Sequence, residues 1–291
     1  MPLTAGLPRA GHGTTNAVFV DRRRGLVVKR FSPAGTALLW RGLAREAAAL
    51  RLAMPTGLVP RLVARDPATD PAILSIEYVE ATPYPLMDHA DPSRSAYRAG
   101  AALRRVHALV PDPASADHLR LPGDGPGARW SEVIAGLADQ LCAAVRVAAP
   151  ELADPVRDCA RRLPRWCAGL DEPQRVLVHG DYGGANVLLR PDGQLSIVDW
   201  EWAHAGDPGY DLARLAWQDT IGRRHGVYRD ERTGRAFRTG YGCSDSDLDE
   251  VRLRVYGTLM ALGHCLAGRL TCRETGPFEQ WLYRVTRAGR P

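Results

Sequence analysis

Residues 176–217 constrain this chain more than any other stretch: VLVHGDYGGANVLL, a short turn, then LSIVDWEWAHAGDPGYDLARLAW. Two apolar runs, Val176–Val178 and Val187–Leu189, read as strands because branched side chains are bounded by turn formers. The loop between them carries His179, Asp181 and Asn186. Pro191-Asp192-Gly193 turns the chain into a third strand, 195–198, which ends on Asp199. A carboxylate, a carboxamide five residues on and a second carboxylate therefore meet where strands finish. Such an array can hold a divalent metal and a nucleophile at once.

Composition bounds what surrounds that array. At 291 residues the chain has core enough for one large domain or two lobes. No apolar run approaches the roughly 20 residues that span a bilayer, so no membrane partner is expected. The first residues, MPLTAGLPRAGHG, lack the basic start and apolar core of a secretory signal. Cys142, Cys159, Cys167, Cys243, Cys265 and Cys272 form no Cys-x-x-Cys pair and read as reduced thiols of a cytoplasmic protein. The net charge is +5, but the arginines fall in short scattered runs without interleaved aromatics. Solvated helix faces explain them, and a nucleic-acid partner is not expected.

Residues 1–80 read as a small, mostly β lobe. After a weak strand at 3–5 and a turn containing Gly11, Gly13 and Thr14 come strands at 17–21 and Leu26–Phe31, a hairpin. Apolar Leu39, Leu43, Ala47 and Leu50 recur at helical steps, predicting a helix over 38–53 stopped by Pro55-Thr56-Gly57. Strands at 61–65 and 73–79 close the lobe, and 80–85 reads as a connector. The remainder, 81–291, is mainly helical: 93–109, a hairpin of 130–149 and 155–168, then 245–270 and Gly276–Arg287. The Pro/Gly-rich stretch 111–128 reads as a long loop. The run Ser244-Asp245-Ser246-Asp247 reads as a helix N-terminus.

Lys29 is the only lysine in the chain. Where arginine serves every other basic position, one strand lysine points to a task the broader guanidinium cannot perform, such as sitting between phosphates and a carboxylate. Chance retention of one surface lysine reads the same from composition alone. The turn at Gly11-x-Gly13-Thr14 is equally open: an ordinary hairpin loop, or a flap whose backbone N–H groups cover nucleotide phosphates. It is not a Walker sequence.

In order, the chain offers a Gly-containing hairpin, a strand lysine, a helix glutamate, a connector, His179-x-Asp181-x4-Asn186 and Asp199. This resembles the kinase fold and, within it, the aminoglycoside phosphotransferase family of small-molecule kinases, with hygromycin B and viomycin kinases nearest in the second half. The resemblance implies an α+β bilobal architecture: an antiparallel N-terminal sheet with one helix, and a larger helical lobe. It implies Asp181 as the catalytic base, and Asn186 and Asp199 as ligands of Mg²⁺. Gly11, Gly13, Thr14, Lys29, Glu46, Glu77 and Val79 would hold ATP or GTP. His179 and Asp211 would brace the catalytic loop, and His107 would be a buried, hydrogen-bonded residue. Asp199-Trp200-Glu201 replaces Asp-Phe-Gly, and Gly183 stands where a protein kinase has lysine, which disfavours protein substrates.

Three functions remain open on this sequence: an antibiotic O-phosphotransferase conferring resistance, a metabolic kinase of a sugar, amino alcohol or amino acid, and a catalytically inactive binding module. The expected partner is a small molecule bearing a hydroxyl, and the protein is expected to be a monomer or weak dimer. A polycationic aminoglycoside would need an acidic cleft. Glu201, Asp207, Asp219, Asp230 and Glu231 are the candidates for it, while a less cationic drug stays possible.

Overall fold

Residues 22–25 turn the chain between β1 (Asn16–Asp21) and β2 (Leu26–Phe31), with Gly25 in the left-handed region at φ 64°. The computed structural model describes residues 8–9, 16–31, 42–66, 72–83, 91–183, 186–220, 231–244, 250–271 and 275–287. The weak strand expected at 3–5, the glycine-containing turn at 11–14 and most of the acidic run at 244–247 lie outside them. Strands β3 (Leu62–Asp66) and β4 (Ile73–Glu77) complete an antiparallel sheet in the order β1-β2-β4-β3. Lys29 is central in it, opposite Val18 on one side and Leu74 on the other.

Helix α1 (Leu43–Ala53) lies against this sheet and ends in a single 3-10 turn, Met54–Thr56, closed by Gly57 at φ 67°. The expected stop signal is therefore the real one. Leu50, 1% exposed, packs with Leu74 and Trp200 in one cluster. Burying one such leucine contributes roughly 1.5–3 kcal/mol.

The connector is more than a linker. β5 (Thr82–Pro83) pairs antiparallel with β7 (Val187–Leu189), and β7 with β8 (Leu195–Ile197), so part of 80–85 joins the sheet that carries the catalytic loop. β6 (Val176–Val178) pairs instead with β9 (His204–Gly206). The two strands flanking the loop thus belong to different sheets.

Helix α2 (Pro92–His107) starts under an Asp91 cap on Arg94 N, at 3.0 Å. The stretch 111–128 is not all loop: Asp112 accepts from Ser115 N at 2.7 Å and Pro113 opens α3 (Pro113–Leu119). Pro/Gly content hid an ordinary Asp-Pro helix start. α4 (Trp130–Ala148) and α5 (Ala153–Cys167) pack together as periodicity predicts. α6 (Gly209–Thr220), α7 (Glu231–Tyr241), α8 (Glu250–Thr271) and α9 (Gly276–Arg287) follow.

Two apolar cores result. One joins the sheet, α1 and α2 to Tyr182, Val187, Ile197 and Trp200; the other fills the space among α4, α5, α8 and α9 around Trp130, Trp217 and Trp281. Cys142, Cys159, Cys167 and Cys265 are buried free thiols. Burial pushes Cys142, Cys167 and Cys265 up to about 12. Among the described residues no helix is long and apolar enough to cross a membrane.

Candidate active site

Lys29 comes from the middle of the sheet and its Nζ lies 2.7 Å from Glu46 Oε1 and 2.8 Å from Asp199 Oδ1. Glu46 faces it because Leu43, Ala47 and Leu50 turn the same helix toward the core, leaving position 46 over β2. Burial works against the ammonium charge, but Asp199 and then Glu46 and Glu201 outweigh it and hold Lys29 above the usual lysine range. Burial pushes the Glu46 carboxyl up, with Lys29 opposing.

Asp199 is the one non-glycine residue among those described with positive φ, at φ 65° and ψ 63°. Such a backbone is held only where surroundings determine it. Here Trp200 is anchored by Nε1 donating to Ile197 O at 2.9 Å, and its ring meets His179 edge-on at 4.5 Å. Glu201, next along, accepts from Asn16 Nδ2 at 2.5 Å, tying the first strand to this turn.

The loop carrying Asp181 is braced from beneath. Asp211, fully buried, accepts from His179 N and Gly180 N, both at 2.8 Å, and its Oδ2 lies 3.1 Å from His107 Nε2. Burial would raise Asp211, yet these partners hold it below the usual carboxylate range. His179 Nδ1 accepts from Asp181 N at 3.1 Å, so Nε2 carries the proton donated to Val198 O at 3.0 Å. Burial lowers the His179 pKa and keeps that ring neutral. Gly180 sits at φ 79°, and a Cβ there would overlap Trp202 O.

Asn186 Nδ2 donates to Asp181 O at 2.9 Å and to Asp181 Oδ2 at 2.8 Å. Asn186 O accepts from Val198 N at 2.9 Å, linking the loop to the strand that ends at Asp199. Mg²⁺ takes hard oxygens, and this donor set fits it: Asn186 Oδ1 points away from Asp181, and the Asp199 side chain is 40% exposed. Among the described residues no three His, Cys, Asp or Glu side chains form a cage, so phosphate oxygens would have to complete the coordination.

Other expected residues fare differently. Gly11, Gly13 and Thr14 lie outside the described residues. Glu77, expected to offer backbone groups to a base, donates its N–H to Arg61 O at 2.9 Å, and its Oε2 accepts from Arg61 N at 3.2 Å. Glu77 is thus held in the sheet beside the start of β3. Val79 lies between β4 and β5.

The acidic cleft also needs correction. Asp207 caps α6 through Gly209 N at 2.8 Å and accepts from Arg252 Nε at 2.9 Å and Tyr256 OH at 2.7 Å. Glu231 is exposed and pairs with Arg235 one turn on. Asp230 and the Asp219 side chain lie outside the described residues. Of the three described side chains, Glu201 alone reaches the cavity beside the loop.

Sequence reasoning missed Arg214. Its Nη2 pairs with Asp181 Oδ1, and its Nη1 lies 3.4 Å from His264 Nε2. A signal existed: Arg214 is three residues past Asp211 on one helix, so both reach the same loop. Arg45 is a second such arginine. It donates to Leu119 O, Ala203 O and Arg120 O, at 3.2, 2.8 and 2.6 Å, clamping α1 to the segments behind the site.

A sheet lysine held by a helix glutamate, facing an Asp-x4-Asn loop and a strand-end aspartate, is the arrangement of the kinase-like phosphotransferase fold. The phosphotransferase enzyme family model matches residues 6–253, and the chain belongs to that family. A viomycin phosphotransferase from Streptomyces vinaceus is 31% identical over 139 residues, covering 46% of this chain and 42% of that relative. The chain therefore matches less than half the length of that relative. Among solved structures, the aminoglycoside phosphotransferase APH(4)-Ia in complex with AMP-PNP and hygromycin B superposes with TM-score 0.69 at 17% identity, covering 98% of this chain and 94% of that one. A choline/ethanolamine kinase family protein from Mesorhizobium loti gives TM-score 0.62 at 22% identity, covering 100% and 92%.

Proposed function

We propose that this phosphotransferase moves the γ-phosphoryl group of ATP or GTP, with Mg²⁺, to a hydroxyl of a small-molecule antibiotic in the cytoplasm. Support comes above all from the contact between Lys29 and Asp199, which joins residues 170 apart in sequence at one point. Residues 1–80 would form the nucleotide lobe and 81–291 the acceptor lobe.

In this reading Lys29 contacts the α- and β-phosphates while Glu46 keeps it aimed. Asn186 and Asp199 hold the metal, which when bound neutralises charge on the phosphates. Asp181 accepts the hydrogen bond of the acceptor hydroxyl, orients its oxygen in line with the γ-phosphorus and takes its proton. Asn186 and Arg214 hold that carboxylate from two sides, so its direction is set before the acceptor arrives. Asp211 and neutral His179 keep the loop beneath it fixed.

Coupled assay of ADP release from Mg-ATP and of GDP release from Mg-GTP tests the reading against aminoglycosides, cyclic peptides, nucleosides, sugars and amino alcohols. Saturable turnover that falls by about 10²–10⁴ in Asp181→Asn, with nucleotide binding kept, is expected. Unchanged turnover in that variant would remove Asp181 from the chemistry. A second reading, a metabolic kinase, is favoured by the full-length likeness to a choline/ethanolamine kinase family protein. Turnover confined to an amino alcohol or sugar would select it.

A further inference from the structure

A cavity enclosing about 630 Å³, open solvent included, lies between the catalytic loop and helices α4 and α8. Its walls are largely apolar: Leu137 and Leu141 from α4, Leu259 and Met260 from α8, with Trp202. It reaches the loop at Gly180 and at Arg214, the residue that grips Asp181.

Few charged groups interrupt the apolar wall. Arg45 and Arg214 both line it, and Glu201 is the single carboxylate among the lining residues. His204, also on the wall, is lowered to about 4 by burial and is uncharged at neutral pH. Arg214 is 7% exposed, and its Nε has no hydrogen-bond partner among the described residues. A buried guanidinium N–H without an acceptor is costly, and an oxygen supplied by a ligand would relieve it. Arg214 is already neutralised by Asp181, so a polycation in the same space would shed its hydration against apolar walls with Glu201 as the one lining carboxylate to offset it.

We propose that this cavity is the acceptor site and that it takes a hydroxyl compound with an apolar body and a hydrogen-bond-accepting oxygen, uncharged or anionic, rather than a polycationic aminoglycoside. The accepting oxygen, carbonyl or carboxylate, faces the Arg214 guanidinium, and the apolar body packs between α4 and α8. The hydroxyl then points toward Asp181, which Arg214 already touches. The assignment rests on the phosphotransferase reading for its chemistry, but occupancy of the cavity is a separate observable.

Calorimetric titration of the full chain without nucleotide measures that occupancy. The probes are chloramphenicol, a neutral aryl diol; mandelate, an anionic aryl hydroxy acid; and kanamycin, a polycation. Chloramphenicol or mandelate is expected to bind at least about 10-fold more tightly than kanamycin, a gap of ~1.4 kcal/mol. A mandelate preference over chloramphenicol would identify the carboxylate as the oxygen on Arg214, and the reverse would identify a neutral one. Met260→Trp, which fills the cavity, should weaken that binding by about 10-fold or more. Gly263→Val is the second blocking variant, because a Cβ at Gly263 stands 3.7 Å from Trp202 Cη2, at ordinary contact distance. Tighter kanamycin binding, no binding by either other probe, or indifference to both folded variants would overturn the assignment. Binding of the expected kind without phosphoryl transfer would uphold the pocket and sink the reaction proposed for it.

Discussion

Lys29 Nζ stands 2.8 Å from Asp199 Oδ1 and 2.7 Å from Glu46 Oε1, so one ammonium closes the seam between the sheet and the catalytic strands. Lys29 is 6% exposed and Glu46 fully buried, and Glu46 Oε2 has no partner among the described residues. Removing the cation strands a buried carboxylate. Lys29→Met should lose about 3–5 kcal/mol of unfolding free energy in urea, and Lys29→Met/Glu46→Leu should recover much of it. A double variant no more stable than the single one would show that the pair does not carry this cost. Lys29→Arg should fail to restore turnover, since the wider guanidinium cannot occupy the same gap.

Asp211 supports the catalytic loop by accepting two backbone N–H groups while facing His107. In Asp211→Asn one of those oxygens becomes an NH₂ facing a donor. Each buried donor left unpaired costs about 1–3 kcal/mol. Thermal melting should register that loss, and turnover should fall with it because Asp181 is the next residue on the loop. Wild-type melting in this variant would show the loop to be held by other contacts.

Much of this was legible because the chemistry is local in sequence. His179, Asp181, Asn186 and Asp199 sit beside strands whose β-branched residues and turns mark them. The sole lysine and the helix phase of Glu46 single out two residues whose side chains lie 2.7 Å apart. What escaped depends on tertiary pairing. β9 (His204–Gly206) has no β-branched residue to mark it, and the pairing of β6 with β9 rather than β7 has no local signature. Asp207 read as substrate-facing because sequence shows its charge but not Arg252 and Tyr256 folded onto it. Arg214 looked like one more arginine among many until its burial was known.

Histidine burial gives stability a pH direction. His204 Nδ1 donates to Trp202 O at 3.0 Å, while its Nε2 is buried without a partner among the described residues. Burial lowers its pKa from 6.5 to about 4. Below 6.5 the unfolded chain takes up a proton that the folded one refuses, so this stabilisation is complete above that pH and drains as pH falls to 4. The loss is on the order of 3 kcal/mol, and His179, lowered in the same direction, adds to it. Urea titrations between pH 7 and pH 4 should show the decline. His204→Asn, which keeps a donor toward Trp202 O, should flatten the slope; an unchanged slope would assign the acid sensitivity elsewhere.

A glycine substitution should change sign with its surroundings. In an open helix Gly→Ala stabilises by about 0.8–1.0 kcal/mol. Gly136 on α4 meets nothing within 4 Å of a built Cβ, so Gly136→Ala should gain about that much. Gly100 on α2 is the opposite case. Its Cβ would overlap Phe237 O and stand 2.8 Å from Tyr241 N, both backbone atoms of α7. Gly240 on α7 faces Tyr97 O in the same way, so the two helices touch backbone to backbone through paired glycines. Gly100→Ala must push α7 away and should cost about 1–3 kcal/mol despite its better helix propensity. The displacement should also reach Tyr241, whose hydroxyl is 2.7 Å from His107 Nδ1, and through His107 the Asp211 brace. Melting curves of the two alanine variants side by side decide the matter: shifts of the same sign would mean that α2 and α7 are not in backbone contact.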